Sequence, residues 1–394
     1  MIPRLKSELG FAEIIAALHP PRSDDVINYE TGFAELMQQS FALAFPYGRT
    51  GLLLLLEALG YKSREIICPA YTCVVVPHAI VLSGNKPVFI DCAENDFNMD
   101  LEQAEVAITE KTVAIIATSL FGYPVNLDAL AAIKKRHPKI DIIQDCAHSF
   151  GAEWLGRPVQ KEGVAAIFGL NISKILTSVF GGMVTTNSPE VFEKLKRLRQ
   201  EKLLRVNWQK GFQRLLYLLA TNVAFWQPVY GFINALERSG ALDYFVRYYD
   251  DTEIDMPPDY LKQMCALEAR VGSTYLRRYP NLIQKRRAAA QFYQDNLGDI
   301  KNIRLPKLVE GATYSHYVVR VQMRDYWLDA CIRKGVQLGW LIEYNIPEMP
   351  SYGAHAPEEF PIAADYARTT VNLPVWGGAK LAEKVTRTMK SIDS

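Results

Sequence analysis

The chain has 394 residues, which is enough for two or three domains, and its 49% content of apolar residues is enough to form a large buried core. Its 44 basic and 43 acidic residues leave a formal net charge of +1. This balance excludes a protein that holds nucleic acid through an overall positive charge, so we expect no nucleic-acid partner.

The six cysteines are scattered and form neither a CxxC pair nor a histidine spacing typical of zinc sites. We therefore predict no metal site and a reduced, cytoplasmic protein. The cysteines are Cys68, Cys73, Cys92, Cys146, Cys265 and Cys331. The first 23 residues have no long apolar core and no small-residue cleavage site, so they do not resemble a signal peptide.

From about residue 48, short apolar runs alternate with amphipathic stretches. The predicted strands cover residues 65–67, 87–90, 112–119, 140–144, 164–169 and 183–185. The predicted helices among them cover residues 51–60, 72–83, 101–107 and 127–136. Because the strands are apolar on both faces, the alternation predicts an α/β fold with a mainly parallel central sheet sandwiched by helices.

The pattern changes after residue 194, where helical periodicity takes over. The predicted elements are helices over residues 261–296, 326–334 and 378–391 and strands over residues 314–321 and 336–342. This mixture predicts a smaller C-terminal α+β domain. The predicted division is an N-terminal arm (1–40), a large α/β domain (41–254) and a small domain (255–394).

An aromatic-rich helical insert occupies about residues 205–250 of the large domain. Its most apolar stretch, residues 215–236, is long enough to span a bilayer, but Asn222 and Asn234 interrupt it. We predict a helical pair under a dimer interface or lid. A membrane contact through residues 208–249 is the alternative, because tryptophans such as Trp208 suit a headgroup boundary.

Polar residues collect at one edge of the predicted sheet, where ligands bind in open parallel sheets. Gly48, Arg49 and Thr50 form a glycine-flanked turn at a helix N-terminus, which suits a phosphate but also an ordinary helix start. Asp145 directly follows a strand and precedes His148 by three residues. A carboxylate here suits a cofactor pyridinium nitrogen, although a capping or ion-pairing role accounts for it equally well.

Lys174 lies among apolar residues after another predicted strand. Burial there favours the neutral amine, which is the form that makes a Schiff base. The alternative is a lysine that extends to the surface, a description that suits Lys161 and Lys194 better because their neighbours are polar.

The order of these motifs resembles the DegT/DnrJ/EryC1/StrS family, whose members are fold-type-I pyridoxal-phosphate enzymes and mostly sugar aminotransferases. The resemblance runs from about residue 40 to the C-terminus and rests on seven motifs in the same order. They are Gly-Arg-Thr-Gly-Leu (48–52), Pro-Ala-Tyr-Thr (69–72), Lys-Pro-Val-Phe-Ile-Asp (86–91), Leu-Phe-Gly (120–122), Asp-Cys-Ala-His (145–148), Lys174 and Gly-Gly (181–182).

The resemblance implies pyridoxal 5'-phosphate as the cofactor, bound covalently by Lys174 and paired through its pyridine nitrogen with Asp145. It places His148 near the cofactor's phenolic oxygen and the turn at residues 48–50 around the phosphate. It also implies a homodimer that takes a small-molecule amino donor and a keto acceptor.

The sequence departs from the family at the phosphate. Gly169 stands where the family usually has a phosphate-binding serine. Arg49 is a candidate to replace that contact, and Asn171 and Ser173 are nearby candidates.

Other departures concern the ring and the substrate. Cys73 stands where the family has an aromatic residue that stacks on the cofactor, so Tyr71 is a candidate for that role. The Asn-Tyr-Arg segment that reaches into the partner subunit's site is not recognisable around residues 261–264, and the late histidine is not recognised near residues 340–341. Cofactor anchoring is therefore altered in this divergent sequence.

We expect a pyridoxal-phosphate aminotransferase that moves an amino group from an amino acid, glutamate being the expected donor, to a nucleotide-linked keto-sugar. One alternative keeps the cofactor and acts on a bulkier or lipid-linked carbonyl compound. Another is a non-catalytic dimeric homologue used as a binding scaffold, against which the retention of both Asp145 and Lys174 weighs.

Overall fold

The computed structural model describes residues 1–240 and 250–393. Its strands, in chain order, are β1 (Phe41–Phe45), β2 (Glu65–Pro69), β3 (Lys86–Ile90), β4 (Thr112–Thr118), β5 (Asp141–Asp145), β6 (Glu153–Trp154), β7 (Arg157–Pro158), β8 (Ala165–Gly169), β9 (Gly182–Thr186), β10 (Ile303–Arg304), β11 (Tyr317–Val321) and β12 (Thr370–Leu373).

The α-helices of the described residues are α1 (Phe11–Leu18), α2 (Asp25–Leu36), α3 (Gly48–Ala58), α4 (Val75–Leu82), α5 (Leu101–Val106), α6 (Leu127–Arg136), α7 (Pro189–Lys202), α8 (Trp208–Ala224), α9 (Gln227–Arg238), α10 (Ala266–Leu276), α11 (Tyr279–Asn296), α12 (Arg324–Arg333), α13 (Pro361–Thr369) and α14 (Gly378–Asp393). Several begin at side chains that cap free backbone N–H groups, namely Asp100, Asn126 and Ser188.

A seven-stranded sheet has the order β1-β9-β8-β5-β4-β2-β3. Strands β8, β5, β4, β2 and β3 pair in parallel, and β9 runs antiparallel to both of its neighbours. The mainly parallel sheet that the alternation predicts is therefore confirmed.

Helices cover both faces of this sheet. Along β4, Ile115 belongs to a core cluster with Phe33 of α2 and Leu130 of α6. Its neighbour Ile116 belongs to a different cluster with Leu55 of α3. Because successive side chains of a strand point to opposite faces, the alternation explains why the strands are apolar throughout.

The small three-stranded sheet has the order β10-β11-β12 and differs from the sequence prediction. The strand predicted over residues 336–342 is wrong, because that segment makes only isolated bridges, from Val336 to Ile2 and from Gly339 to Asn372. The third strand is β12 instead, which pairs with β11 along its length. The predicted domain limits near residues 40 and 254 stay predictions.

The described part of the predicted insert forms α8 and α9, and its residues 241–249 lie outside the described residues. Within the described ranges, none of the helices has the length and apolar character needed to cross a bilayer. The cytoplasmic location stays a prediction.

Gly182→Ala should destabilise the fold, because a Cβ at this position would lie 2.2 Å from the backbone nitrogen of Gly48. We expect a loss of about 1–3 kcal/mol, the usual cost of overpacking, measured by thermal unfolding of the cofactor-free protein. Gly211→Ala is the matched control: Gly211 lies in α8 with open space around it, and alanine there should be neutral or stabilising. Equal unfolding temperatures for the Gly182 variant and the wild type would contradict the close approach.

Candidate active site

The candidate site lies where three neighbouring parallel strands end. Thr118 ends β4, Asp145 ends β5 and Gly169 ends β8. Thr118 pairs with Asp145, and Asp145 pairs with Ile167, so the strand ends lie side by side. The loops that follow them leave the sheet at one edge, the place where open α/β sheets bind ligands.

Asp145 is a buried carboxylate with a protein donor on each oxygen. Oδ1 accepts the backbone N–H of Ala147 at 3.0 Å, and Oδ2 accepts the hydroxyl of Thr118 at 3.2 Å. Burial raises the pKa of Asp145, while these hydrogen bonds and the Lys174 ammonium oppose that change. The two donors orient a carboxylate whose charge a cationic ligand would stabilise.

Lys174 lies in the loop after β8, where its backbone N–H donates to the backbone carbonyl of Asn171 at 3.0 Å. Gly169 lies against the lysine stem, where a Cβ would make an ordinary van der Waals contact with Lys174 Cε at 3.4 Å. Burial lowers the pKa of Lys174, and Cys73 and Asp145 oppose that change. A lowered pKa increases the share of neutral amine, which is the nucleophilic form.

Asn171 and Ser173 interact with each other in the turn before Lys174. Asn171 Oδ1 accepts the backbone N–H of Ser173 at 3.1 Å and its hydroxyl at 2.6 Å. The pair stabilises the turn that carries the lysine, and its contact with a cofactor phosphate stays a prediction.

Gly48 starts α3 against the ends of two strands. A Cβ on Gly48 would lie 3.0 Å from the carbonyl oxygen of Phe168. The N–H groups of Gly48, Arg49 and Thr50 have no acceptor within the helix, so this corner offers donors and a positive helix end to an anion. Arg49 is partly exposed, whereas Thr50 is buried and donates its hydroxyl to the carbonyl of Tyr260 at 3.0 Å.

Two buried histidines lie beside the strand ends. His148 stacks on Phe121 with the ring centroids 6.0 Å apart, and its Nδ1 accepts the Phe121 N–H at 3.4 Å. The ring of His316 lies 5.8 Å from that of His148. Burial lowers the pKa of both rings and the Lys174 cation lowers it further, so both are neutral near pH 7.

The structure separates the two candidates for a contact with the cofactor ring. Tyr71 is fully buried, donates its hydroxyl to the carbonyl of Ile342 at 3.1 Å and packs edge-on against Phe121. Its contact with a cofactor ring stays a prediction. Cys73 is partly exposed and close enough to Lys174 to act on the pKa of the lysine.

Sequence reasoning missed Thr118 and His316. Thr118 could have been found, because it ends the β-branched run next to the strand of Asp145 and adjacent parallel strands end at similar levels. His316 precedes β11 of the small sheet, so its approach to His148 depends on how that sheet packs and leaves no local sequence signal.

The donor set fits pyridoxal phosphate. A buried carboxylate suits the ring nitrogen, an amine of lowered pKa suits the aldehyde carbon, and the turn with Arg49 suits the phosphate. Among the described residues, no group of three or more histidine, cysteine, aspartate or glutamate side chains could hold a metal ion.

Relatives resemble the chain over different lengths. An uncharacterised protein of Methanocaldococcus jannaschii is 32% identical over 216 residues, which are 53% of this chain and 56% of that protein. The chain thus spans little more than half the length of that relative. The GDP-perosamine synthase of Caulobacter vibrioides is 25% identical over 378 residues, which are 93% of this chain and 89% of the synthase.

The fold is shared along the whole chain with solved structures. S. venezuelae DesV, solved with a ketimine intermediate, superposes with a TM-score of 0.79 at 22% identity and covers 100% of this chain and 98% of its own. This likeness confirms the fold class. Because the family model matches residues 22–393, the chain belongs to the DegT/DnrJ/EryC1/StrS aminotransferase family, which confirms the predicted family, the aminotransferase class and the pyridoxal phosphate cofactor.

Proposed function

We propose that this aminotransferase moves an amino group from an amino acid, glutamate, to the keto group of a nucleotide-linked sugar. The observation that carries the proposal is the pair of Asp145, which is buried, and Lys174, which is partly buried, two ionisable groups that influence each other's pKa at one sheet edge. The relatives named GDP-perosamine synthase, whose name denotes a nucleotide-linked product, support the substrate class.

Bound pyridoxal phosphate supplies an electron-withdrawing pyridinium ring to such a reaction. Asp145, oriented by Thr118 and Ala147, would pair with the ring nitrogen and keep it protonated. Lys174 would hold the cofactor through its aldehyde carbon and, when free, would serve as the acid and base of the amino transfer.

The phosphate contacts in this proposal come from backbone and charge. Gly169 stands where the family has a phosphate-binding serine. Its hydroxyl would be replaced by the guanidinium of Arg49 and by the N–H groups in the first turn of α3, at Gly48, Arg49 and Thr50. Asn171 and Ser173 stabilise the turn before Lys174 and add a hydroxyl near it.

The remaining contacts concern the ring. His148, kept neutral by burial, would lie beside the ring at the strand end. Cys73 lies near the lysine and would contact the ring from that side, whereas Tyr71 is fully buried. A thiol stacks less well than an aromatic ring, so we expect the cofactor to depend more on its other contacts.

A second candidate substrate is a bulkier or lipid-linked carbonyl compound. A surface cavity of about 290 Å³ lies beside Ile172, two residues before Lys174, and Val223 and Trp226 of the insert line it. Both of these side chains are strongly exposed, which favours an apolar group on that side.

We also propose a homodimer. The exposed face of α8 is a stripe of apolar side chains spaced three or four residues apart, formed by Trp208, Phe212, Leu216, Leu219 and Val223. No exposed residue of α8 is charged. A face of this kind on a protein surface is typical of a protein–protein contact.

The pH dependence of cofactor capture follows from the lowered pKa of Lys174. The neutral amine is the form that attacks the aldehyde, so the rate should rise with pH. The rise should end at a pH below the pKa of roughly 10.4 of an ordinary lysine. Stopped-flow absorbance after mixing with pyridoxal phosphate measures the rate, with a blocked lysine derivative as the reference. A rate that rises over the same pH range as that of the blocked lysine derivative would contradict a lowered pKa of Lys174.

Lys174→Ala tests the reaction itself. The wild type with pyridoxal phosphate should show an absorption band that glutamate bleaches, whereas the variant should show neither and should lose about 10²- to 10⁴-fold or more of its activity. Lys161→Ala is the matched control, since Lys161 is an exposed lysine. A band that persists in the Lys174 variant, or a wild-type band that no amino acid changes, would contradict the proposal.

Phe212→Glu combined with Leu216→Glu should convert the dimer to a monomer, because the two charges would be buried at the contact without partners. Light scattering coupled to size exclusion measures the mass, and Gln213→Glu, also exposed on α8, is the control. A dimer that survives the double substitution would contradict this interface. Binding of the wild type to liposomes, lost in the double variant, would assign the face to a membrane.

A further inference from the structure

Helix α8 of the insert has an inverted distribution of polarity. Its only charged residues, Lys210 and Arg214, face the protein, with 3% and 12% of their side chains exposed. Removing charges from water is costly unless partners compensate them. Specific partners on the protein side of α8 must therefore compensate these two charges.

Lys210 fixes the segment that precedes α10. Its ammonium donates to the carbonyl oxygens of Lys262 and Gln263 at 3.1 and 2.7 Å, and it lies 3.7 Å from Glu268. Glu268 has no exposed surface and accepts the backbone N–H of Cys265 at 2.8 Å. The family's partner-reaching motif is not recognisable in this segment, which is held to α8 instead.

Arg214 connects the insert to the candidate phosphate turn. Its Nε donates to Glu268 Oε1 at 2.8 Å, and its Nη2 donates to Asp259 Oδ2 at 2.9 Å. Asp259 also accepts the hydroxyl of Tyr47, and Tyr47 is the N-cap residue directly before Gly48. The planar guanidinium suits this forked arrangement, which an ammonium could not reproduce.

The same guanidinium reaches the loop on the other side of the turn. Its carbon lies 4.0 Å from the ring centroid of Phe180, a cation–π distance. The next residue, Gly181, forms an isolated bridge with Tyr47. Arg214 thus contacts both backbone segments that frame Gly48.

This loop is strained. Val179 is fully buried and has a φ of 74°, a left-handed conformation that is unfavourable for a β-branched residue. Its N–H donates to the Thr177 hydroxyl at 3.0 Å. A strained backbone persists only when its surroundings hold it, and the contact of Arg214 with Phe180 is one such restraint.

We propose that Arg214 is a positioning residue of the insert, which holds the Tyr47–Gly48 turn and the Phe180–Gly181 segment in the geometry that binds the cofactor phosphate. This inference rests on the proposed function, which assigns the phosphate to that turn. Because Gly169 offers no hydroxyl there, phosphate binding depends more on the backbone N–H groups of the turn. A shift of the turn therefore lowers the affinity for the cofactor.

The test compares cofactor affinity in Arg214→Ala, Arg214→Lys and Tyr47→Phe. The dissociation constant of pyridoxal phosphate, from absorbance titration, should rise roughly tenfold or more in Arg214→Ala and less in Arg214→Lys. At saturating cofactor, the Lys174-dependent band and kcat should return close to wild type. Gln213→Ala, on the exposed side of α8, is the control.

Arg214→Ala leaves the buried Glu268 without one partner, so it could fail to fold. Tyr47→Phe keeps every charge and removes only the hydroxyl that donates to Asp259 and accepts from Arg214 Nη2 at 3.4 Å, and it should weaken binding without lowering the thermal unfolding temperature of the cofactor-free protein. Wild-type affinity in Tyr47→Phe and in folded Arg214 variants would overturn the proposal. Failure of the wild type itself to bind pyridoxal phosphate would overturn the proposed function with it.

Discussion

The placement of a buried Asp145 and a partly buried Lys174 at one sheet edge is the constraint on which the candidate site depends. Each group alone would be costly to remove from water. Removal from water raises the pKa of Asp145 and lowers the pKa of Lys174, so it favours the neutral form of each. Their mutual attraction and the donors on Asp145 oppose that tendency without cancelling it. A ligand with a protonatable ring nitrogen and an aldehyde would give Asp145 a charged partner and would bind the neutral amine of Lys174. The free-energy cost of removing the two groups from water would then favour binding of that ligand. The parallel sheet makes the arrangement possible, because adjacent strands end at the same level.

Glycine determines how closely the loops can approach this edge. Gly182 and Gly48 lie so close that a Cβ on Gly182 would meet the backbone of the α3 turn. Gly169 lies against the lysine stem and has no hydroxyl to offer a phosphate. In the proposed site the phosphate contacts come from backbone donors, which would replace a serine only while the backbone stays in place.

The sequence predicted the parts of the site that depend on local pattern. Asp145, Lys174 and the turn at Gly48 could be located because each adjoins a recognisable strand or helix start. Tyr71 illustrates the limit: its place beside Cys73 in the sequence suggested a stacking ring, the structure buries it against Phe121, and the stacking role stays a prediction. The strand predicted over residues 336–342 is wrong although β12 has a free outer edge, because only Gly339 pairs with that edge, through Asn372, and the pairing does not extend to its neighbours.

Helix α8 shows why an apolar run alone cannot tell which face is buried. Composition alone predicts a helix that hides its apolar stripe, yet Lys210 and Arg214 face inward and the stripe faces outward. Each face has a consequence. The inward charges are satisfied by Glu268, Asp259 and backbone carbonyls, which fixes the helix to the candidate site, and the outward stripe is the face of the proposed dimer contact. Because both faces belong to one helix, a partner on the stripe would also restrain Arg214, and through it the proposed phosphate turn.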